Sequence, residues 1–238
     1  MNCQDHSELN RAAVASVDAA IEQRRSTRAF LSTPVTHQVV HDILRVASRA
    51  PSGTNIQPWK VYVLAGEAKE QLSHALLKVH GDPEKSSTHR HEQPYYPQIW
   101  PAPFGQRRKA LGLRLYELLG LARDNKQGML HQHGRNLSFF DAPVGMIFTI
   151  SRQLHLGSWI DYGCFLQNIA VAAQARGLGT CIQAAFAPLH QVIRHNLQLS
   201  QDEMVVCGLS LGYPDLSKAE NSLVSEREPV SAFAEFRS

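Results

Sequence analysis

The sequence predicts one α+β domain in which a mostly antiparallel sheet lies between helices. Short apolar runs at 61–65, 144–150 and 205–211 are typical of strands, and segments with helical periodicity lie between them. The 238 residues are enough for one sizeable hydrophobic core. No internal repeat or linker divides the chain, so we expect a single domain over 12–238.

Helices are predicted on both sides of the first strand. Residues 1–11 are expected to be flexible, and a helix is predicted over 12–24. Thr36 can cap a second helix, which stops before Pro51 because the residue preceding a proline disfavours helical backbone. A third helix is predicted near 68–79. The second helix has apolar side chains at helical spacing, namely Val39, Val40, Ile43, Leu44 and Ala47.

The segment 81–105 has no secondary structure that its sequence predicts. It is polar and rich in Pro and His, and it contains Tyr95, Tyr96, Trp100 and Phe104. A long irregular segment in a compact domain is often a lid or a binding loop, and the alternative is a plain insertion on the surface. The aromatic side chains favour a lid that stacks on a ring.

The C-terminal half is predicted to contain two more helices. Helical periodicity is present over 107–123, with leucines on one side. Ser158 and Asp161 have the spacing of a capping box for a helix that ends at Gly177. This last helix is apolar around much of its circumference, so we expect it in the core or at a subunit interface. Its apolar side chains include Ile160, Phe165, Leu166, Ile169, Ala170 and Ala173.

Composition and charge argue against two classes of partner. The formal charge is only +3, and Lys and Arg are scattered except at 24–28 and 107–109, so we expect no nucleic-acid partner. No apolar run approaches the ~18 residues that a membrane-spanning helix needs, so no membrane partner is expected. The polar N-terminal residues do not resemble a secretory signal.

The cysteines predict a reducing compartment. Cys3, Cys164, Cys181 and Cys207 show no Cys-x-x-Cys spacing, and the last three lie in apolar surroundings. Such cysteines are typical of buried, reduced thiols. We therefore expect a cytoplasmic protein.

Two short motifs together predict a nucleotide-like cofactor. The first is Arg24-Arg25-Ser26-Thr27-Arg28, whose guanidinium and hydroxyl groups suit a phosphate. The second runs from Pro51 to Trp59, and backbone groups in such a turn can approach a flat polar ring closely. Either motif alone is more often a solvated helix end or a surface turn. The second motif has turn-forming residues at Pro51, Ser52, Gly53 and Asn55.

Two other patterns predict different functions less well. Gly208-Leu209-Ser210-Leu211-Gly212 matches the nucleophile elbow of hydrolases, but no His follows it as the hydrolase order requires. A strand whose small residues pack against neighbours is the better interpretation. The His pairs at 89/91 and 131/133 could chelate a metal, yet they lack nearby cysteines or paired carboxylates. Solvated histidines are favoured, and no metal site is predicted.

The two motifs and two later segments resemble the flavin-dependent nitroreductase family. The later segments lie within 161–186 and 206–229, and the resemblance extends over 20–236 with an unclear middle at 75–138. It is nearest to the nitroarene and nitrobenzoate reductase branch. The resemblance implies a nitroreductase-like fold and an intertwined homodimer with FMN at the subunit interface.

The resemblance also implies a role for each basic residue of the first motif. Arg24 and Ser26 would contact the FMN phosphate, with Arg25 nearby and Arg227 closing on the same phosphate. Arg28 would lie at the pyrimidine edge of the ring, where a fixed cation stabilises the reduced flavin. The family often has a second basic residue where this chain has Ser225, so phosphate binding would depend more on Arg24 and Arg227.

The remaining implied contacts are made to the flavin ring. Pro51, Ser52, Gly53 and Asn55 would reach the flavin, the first two serving the cofactor of the other subunit. Gln183, Ala184 and Ala185 complete the implied site, with the last two N–H groups directed at N5 and O4. Arg135 and Asn136 are further candidates for ring contact.

The implied activity is a ping-pong oxidoreductase reaction. NADPH or NADH would give hydride to FMN, and a small aromatic acceptor, a nitroaromatic or a quinone, would then be reduced. Since the flavin would carry the chemistry, no catalytic acid–base pair is predicted. Two alternatives remain, namely a flavin-dependent dehalogenase or dehydrogenase on the same fold, and a flavin-binding or partner-binding protein without turnover.

Overall fold

A four-stranded sheet enclosed by helices organises the structure, a computed structural model that describes residues 3–237. The strands have the order β1-β2-β4-β3, and each neighbouring pair is antiparallel. The predicted α+β class is therefore confirmed. The strands are β1 Lys60–Ala65, β2 Val144–Ser151, β3 Gly179–Gln183 and β4 Glu203–Gly212. The α-helices are α1 Cys3–Gln23, α2 His37–Ala47, α3 Gly66–His80, α4 Pro83–Thr88, α5 Phe104–Leu118, α6 Lys126–Gly134, α7 Leu156–Gln174 and α8 His190–Leu197.

The two central strands are covered on both faces. Every residue of β4 is buried, and so is every residue of β2 except Ser151. Helices α2 and α7 pack on one face through side chains such as Ile43 and Phe165. Helices α3 and α8 pack on the other face through Leu76 and Ile193. Because neither face meets water, both strands are nearly continuous apolar runs rather than alternating ones.

Glycines in the central strands allow aromatic rings to lie directly on the sheet. A methyl group at Gly208 would collide with the ring of Phe186, and one at Gly145 would collide with the ring of Phe139. The two rings contact each other, with centroids 4.6 Å apart. Ser210 of β4 lies opposite Gly145 and is fully buried, so it cannot act as an exposed nucleophile. This confirms the interpretation of 208–212 as a strand of small residues.

A buried carboxylate joins three strands at one end of the sheet. Glu203 of β4 accepts hydrogen bonds from Lys60 Nζ at 2.8 Å and from Thr149 Oγ1 at 2.7 Å. The hydroxyl of Tyr62 donates to the same carboxylate at 2.9 Å. The hydrogen bond to Glu203 raises the pKa of Lys60. These bonds satisfy a charge that would otherwise be costly to bury, and they fix β1, β2 and β4 relative to one another.

The N-terminal helix is longer than predicted. α1 begins at Cys3, so the expected flexible segment 1–11 is helical from that residue onward, and Met1 and Asn2 lie outside the described residues. No proline or glycine occurs between Cys3 and Gln23 to stop a helix, which explains the longer span. The apolar residues Val14, Val17 and Ile21 of α1 are exposed.

The predicted capping box at Ser158 is wrong. α7 begins at Leu156, and Ser158 is buried in its first turn without capping it. Asp161 instead accepts a hydrogen bond at 3.1 Å from the backbone N–H of Gly53, far away in the sequence. The carboxylate that local spacing assigns to a helix cap therefore makes a tertiary hydrogen bond instead. Gly177 does follow the end of α7, with a left-handed φ of 71°.

The middle of the chain contains more helix than the sequence indicated. α4 lies within 81–105, and α5 begins at Phe104 and ends at Leu118 instead of covering 107–123. α6 was not predicted, and neither was the strand β3. Within residues 3–237, no helix is both long and apolar enough to cross a membrane.

Replacing Gly208 by Ala should destabilise the protein, because the added methyl group displaces Phe186 from the sheet. Overpacking of this kind costs about 1–3 kcal/mol. Gly112→Ala is the matched control, since a methyl group at this position of α5 meets no neighbouring atom and should stabilise the helix slightly. Thermal unfolding of both variants measures the difference, and an unchanged melting temperature for Gly208→Ala would contradict the packing described above.

Candidate functional site

The 24–28 segment is held against the outer edge of β3. The backbone N–H of Thr27 donates to the carbonyl of Thr180 at 2.9 Å, beside a parallel bridge between Ser26 and Thr180. A methyl group at Gly179 would collide with the side chain of Thr27, so glycine permits this close approach. The segment is therefore positioned by the sheet and not by the end of α1 alone.

A single asparagine fixes the other side of this segment. The Asn221 side chain accepts a hydrogen bond from the Arg28 N–H at 2.7 Å and donates to the Ala29 carbonyl at 2.7 Å. It also donates to the Asp215 carbonyl at 2.9 Å. Asn221 is buried. Its partners Arg28 and Ala29 are far from it in the sequence, and Asp215 lies in the preceding loop. Sequence reasoning missed this residue because no local pattern marks it.

Arg24 and Arg227 lie close enough to oppose each other electrostatically. Burial lowers the pKa of Arg24, and the positive charge of Arg227 lowers it further. Arg28 lies nearby, and its guanidinium donates to the Ser26 carbonyl at 3.3 Å. In the part of the chain that the structure describes, no carboxylate forms an ion pair with any of these three arginines. The site therefore has positive charge that an anion would neutralise.

Cys181 lies beneath the arginines in β3. Burial raises the pKa of its thiol, while Arg28, Ser26 and Arg24 all act in the opposite direction. Arg24, Ser26 and Arg28 therefore converge on one thiol, which places the phosphate-binding candidates together. Arg25 is exposed and, among the described residues, has neither a hydrogen bond nor an ion pair, so the structure does not bring it into the cluster.

The end of β3 places the next candidates at the same edge. β3 ends at Gln183, and a 3₁₀ helix, Ala184–Leu189, follows directly. The first N–H groups of such a helix have no acceptor within it, and Ala184 and Ala185 are partly exposed. The side chain of Gln183 instead points into the protein and is 2% exposed. Gln183 as a whole is therefore hardly accessible to a ligand.

The loop after α2 has a strained backbone. Thr54, Asn55 and Gln57 have φ values of 51°, 63° and 48°, in the left-handed region that non-glycine residues rarely adopt. Backbone strain of this kind clusters at functional sites. The loop is held by the hydrogen bond from the N–H of Gly53 to Asp161, and the Ser52 hydroxyl accepts one from the N–H of Gln57 at 3.0 Å.

The loop is exposed at the surface of a single chain. Pro51, Gly53 and Asn55 are all exposed, and Ser52 is partly exposed. Trp59, just beyond the loop, stacks on Phe165 of α7 with centroids 4.6 Å apart. Among the described residues, no hydrogen bond or ion pair joins the loop to the 24–28 segment. One chain therefore presents the two halves of the predicted site separately.

The aromatic residues of 81–105 cluster with one another. Ring centroids of Tyr95 and Tyr96 are 5.0 Å apart, and those of Tyr96 and Trp100 are 5.4 Å apart. Tyr95 also lines a cavity of about 560 Å³ together with His155 and Trp159. Burial raises the pKa of Tyr95 to about 12. This is an apolar cavity wall, and its use as a lid stays a prediction.

Glu92 attaches the same segment to the body of the protein. Its carboxylate pairs with Arg152, and its Oε1 lies 3.4 Å from Nδ1 of His190 in α8. The other oxygen of Glu92, Nδ1 of His190 and Nδ1 of His89 are buried without a hydrogen-bond partner. The attachment is thus a small buried polar cluster that is incompletely satisfied. Such clusters are sensitive to a change of protonation.

A second cavity lies beside Arg227. It has a volume of about 640 Å³ and is lined by α5 and by residues 224–228. Arg107 on its wall pairs with Glu228 at 2.7 Å, and Arg114 lies 3.8 Å from Glu226. Arg227 donates only to oxygens of its own loop, including Ser225 Oγ at 2.7 Å. Arg107 and Arg114 are therefore compensated, whereas Arg227 has no carboxylate partner among the described residues.

The comparisons with known proteins agree with this geometry. The protein-family model described as "Nitroreductase family" matches residues 21–213 of this chain. The chain is similar to "Chloronitrobenzene nitroreductase" of Comamonas testosteroni, with 42% identity across 92% of this chain and 96% of that protein. It is 38% identical to "4-nitrobenzoate reductase" of Pseudomonas putida, across 92% and 94%. The solved structure of the FMN-dependent nitroreductase NfnB from Mycobacterium smegmatis in complex with NADPH superposes with a TM-score of 0.89 at 27% identity, covering 95% and 100%.

Acidification should loosen the attachment of 81–105. Burial lowers the pKa of His190, Glu92 opposes this, and Arg194, Arg152 and His89 lower it further. A histidine whose pKa is depressed in the folded state binds a proton more readily once the structure around it has opened. The attachment is therefore complete above the ordinary His pKa of about 6.5 and is lost as pH falls through the lower folded value.

Hydrogen exchange of peptides from 81–105 checks this expectation. Protection should fall between neutral and mildly acidic pH after correction for the intrinsic exchange rate. His190→Gln should remove most of that pH dependence, because glutamine does not titrate in this range. The same pH dependence in the variant would rule out His190 as its source.

Proposed function

Because the chain belongs to the nitroreductase family, we propose that it is an FMN-dependent oxidoreductase that uses NADPH or NADH to reduce a nitroaromatic or quinone acceptor. The observation that carries the proposal is the group of three arginines without carboxylate partners among the described residues, near the strand that ends at the start of a 3₁₀ helix. Its relatives include nitroreductases that act on chloronitrobenzene and 4-nitrobenzoate, by their names.

The residues present fit the phosphate of FMN. Arg24 is partly buried and repelled by Arg227, so the cluster is stabilised when a dianion occupies the space between the guanidinium groups. Ser26 adds a hydroxyl on the same side, next to Cys181. Arg24, Ser26 and Arg227 are the proposed phosphate ligands, and Arg25 is proposed only as a nearby exposed charge.

The ring of the flavin is proposed to lie along the end of β3. Arg28, fixed by Asn221, would place its positive charge at the pyrimidine edge. The N–H groups of Ala184 and Ala185 would donate to the ring, and backbone donors are rigid and do not titrate. Bound FMN supplies the hydride chemistry itself, and the chain supplies orientation and charge. Donor and acceptor would use the same space in turn, which gives ping-pong kinetics.

We propose that the working unit is a homodimer. The loop carrying Pro51, Ser52, Gly53 and Asn55 is exposed, and among the described residues no hydrogen bond or ion pair joins it to the arginine cluster of its own chain. In a dimer, the loop of one subunit would complete the site of its partner. Exposed apolar side chains of the two long helices offer a surface for this association, namely Val14, Val17, Ile21, Leu156 and Ile160. The free cysteines fit the reducing environment of the cytoplasm, which we propose as its location.

An absorption spectrum tests the proposal directly. The purified protein supplied with FMN should show oxidised-flavin bands that bleach under anaerobic NADPH or NADH. Addition of 4-nitrobenzoate or nitrobenzene should then restore the bands. A protein that does not retain FMN, or whose bound flavin is reduced by neither nucleotide, would refute the proposed function.

Arg24→Ala should weaken FMN binding through the loss of a charge-assisted contact. Such a contact is worth about 1.5–3 kcal/mol, which corresponds to a Kd increase of about 10- to 150-fold. Arg11→Ala, which removes an exposed arginine of α1, is the control and should leave the Kd unchanged. Fluorescence titration of apoprotein with FMN gives both values. Equal affinities in the two variants would remove Arg24 from the phosphate site.

A further inference from the structure

A buried carboxamide links the end of β3 to two other parts of the chain. The hydroxyl of Ser210 in β4 donates to Gln183 Oε1 at 2.6 Å. Gln183 Nε2 donates in turn to the backbone carbonyl of Asn136 at 2.7 Å. Ser210 is 0% exposed and Gln183 is 2% exposed, so water does not compete for either bond. The arrangement is a dry hydrogen-bonded chain across β4, β3 and the segment after α6.

The orientation of this carboxamide is fixed by its partners. The Asn136 carbonyl can only accept, so it requires the NH₂ end of the Gln183 side chain. The oxygen end must then face Ser210, whose hydroxyl donates to it. Rotating the amide by half a turn would set two carbonyl oxygens against each other inside the protein. The Asn136 carbonyl therefore selects this orientation, and the Ser210 hydroxyl satisfies the amide oxygen that then faces β4.

Gln183 directly precedes Ala184 and Ala185, whose N–H groups follow β3. It is the last residue of β3, and its backbone has extended φ and ψ values of −130° and 103° before the 3₁₀ helix begins. The side chain fixes the Gln183 backbone, which sets the direction of the peptide N–H groups of Ala184 and Ala185. The ring of Phe186 lies on Gly208 immediately beyond them. These N–H groups are thus held from both sides.

We propose that Ser210 and Gln183 are positioning residues that set the Ala184 and Ala185 N–H groups at the flavin edge. This inference rests on the proposed function. It gives a role to a serine that is too deeply buried for nucleophilic chemistry and to a glutamine that has no side-chain access to a ligand. Neither residue touches the cofactor through its side chain, and both act through the backbone that follows β3.

Ser210→Ala tests the inference and has a close control. The variant leaves Gln183 Oε1 buried without a donor, so the carboxamide is anchored at only one end. Ser73→Ala is the control, because Ser73 is a buried serine whose hydroxyl has no hydrogen-bond partner among the described residues. In apoprotein, hydrogen exchange of the amides at 184–186 should be faster in Ser210→Ala and unchanged in Ser73→Ala.

The holoprotein provides the second measurement. The rate constant for flavin reduction by NADPH should fall by about 10-fold or more in Ser210→Ala, within the 100-fold that a misplacement of 1 Å can cost. The Kd for FMN should change much less, because the phosphate contacts are untouched. Ser210→Thr keeps the hydroxyl and should restore both the exchange protection and most of the rate.

A double variant keeps the inference falsifiable if Ser210→Ala is merely unstable. Gln183→Met removes both bonds, and adding Ser210→Ala to it should slow reduction no further if the two residues act as one unit. Additive losses, or unchanged amide exchange and reduction in Ser210→Ala, would overturn the positioning role. If the wild-type protein binds no FMN, or if neither NADPH nor NADH reduces its flavin, the proposed function has failed instead.

Discussion

The candidate site depends on the absence of bulk in a strand that is buried along its whole length. β4 contains Gly208, Ser210 and Gly212 at alternate positions on the face that meets Phe186 and Gln183. Any larger residue at 208 would expel Phe186, and the turn from β3 into the following 3₁₀ helix would move with it. The geometry of the N–H groups at 184 and 185 is therefore a consequence of packing against β4, and not of the local sequence alone. The need for small residues in the core strand β4 thus determines the direction of the N–H groups at 184 and 185.

The electrostatic side of the site has a cost in repulsion and desolvation. Arg107, Arg135 and Arg152 pair with carboxylates, whereas Arg24 and Arg227 lie near each other with no carboxylate partner among the described residues. Two guanidinium groups in a partly buried site repel each other, and their desolvation adds to that cost. Proteins keep such an arrangement where a ligand supplies the missing negative charge. A bound anion would offset the repulsion between these two arginines.

The sequence predicted those elements whose signals are local. Thr36 does accept from the N–H of Val39 and cap α2, and the apolar runs did become β1, β2 and β4. The short strand β3 was missed because its five residues acquire their partners from β4 and from 24–28, which no local pattern reveals. Asp161 was misassigned for the same reason, since a tertiary hydrogen bond to Gly53 competed with a local cap. The resemblance located Gln183 in the site, but only the structure showed that its side chain points inward.

The separation of the two motifs within one chain explains why neither is convincing alone. The loop at 51–57 is exposed and has left-handed residues at 54, 55 and 57. Among the described residues, no hydrogen bond or ion pair joins it to the arginine cluster of its own chain. If two chains exchange these elements, the strain of the loop and the repulsion between the arginines are both offset by one shared cofactor at each site. Cofactor binding and subunit association would then stabilise each other, because each completes a site that the other leaves unfinished.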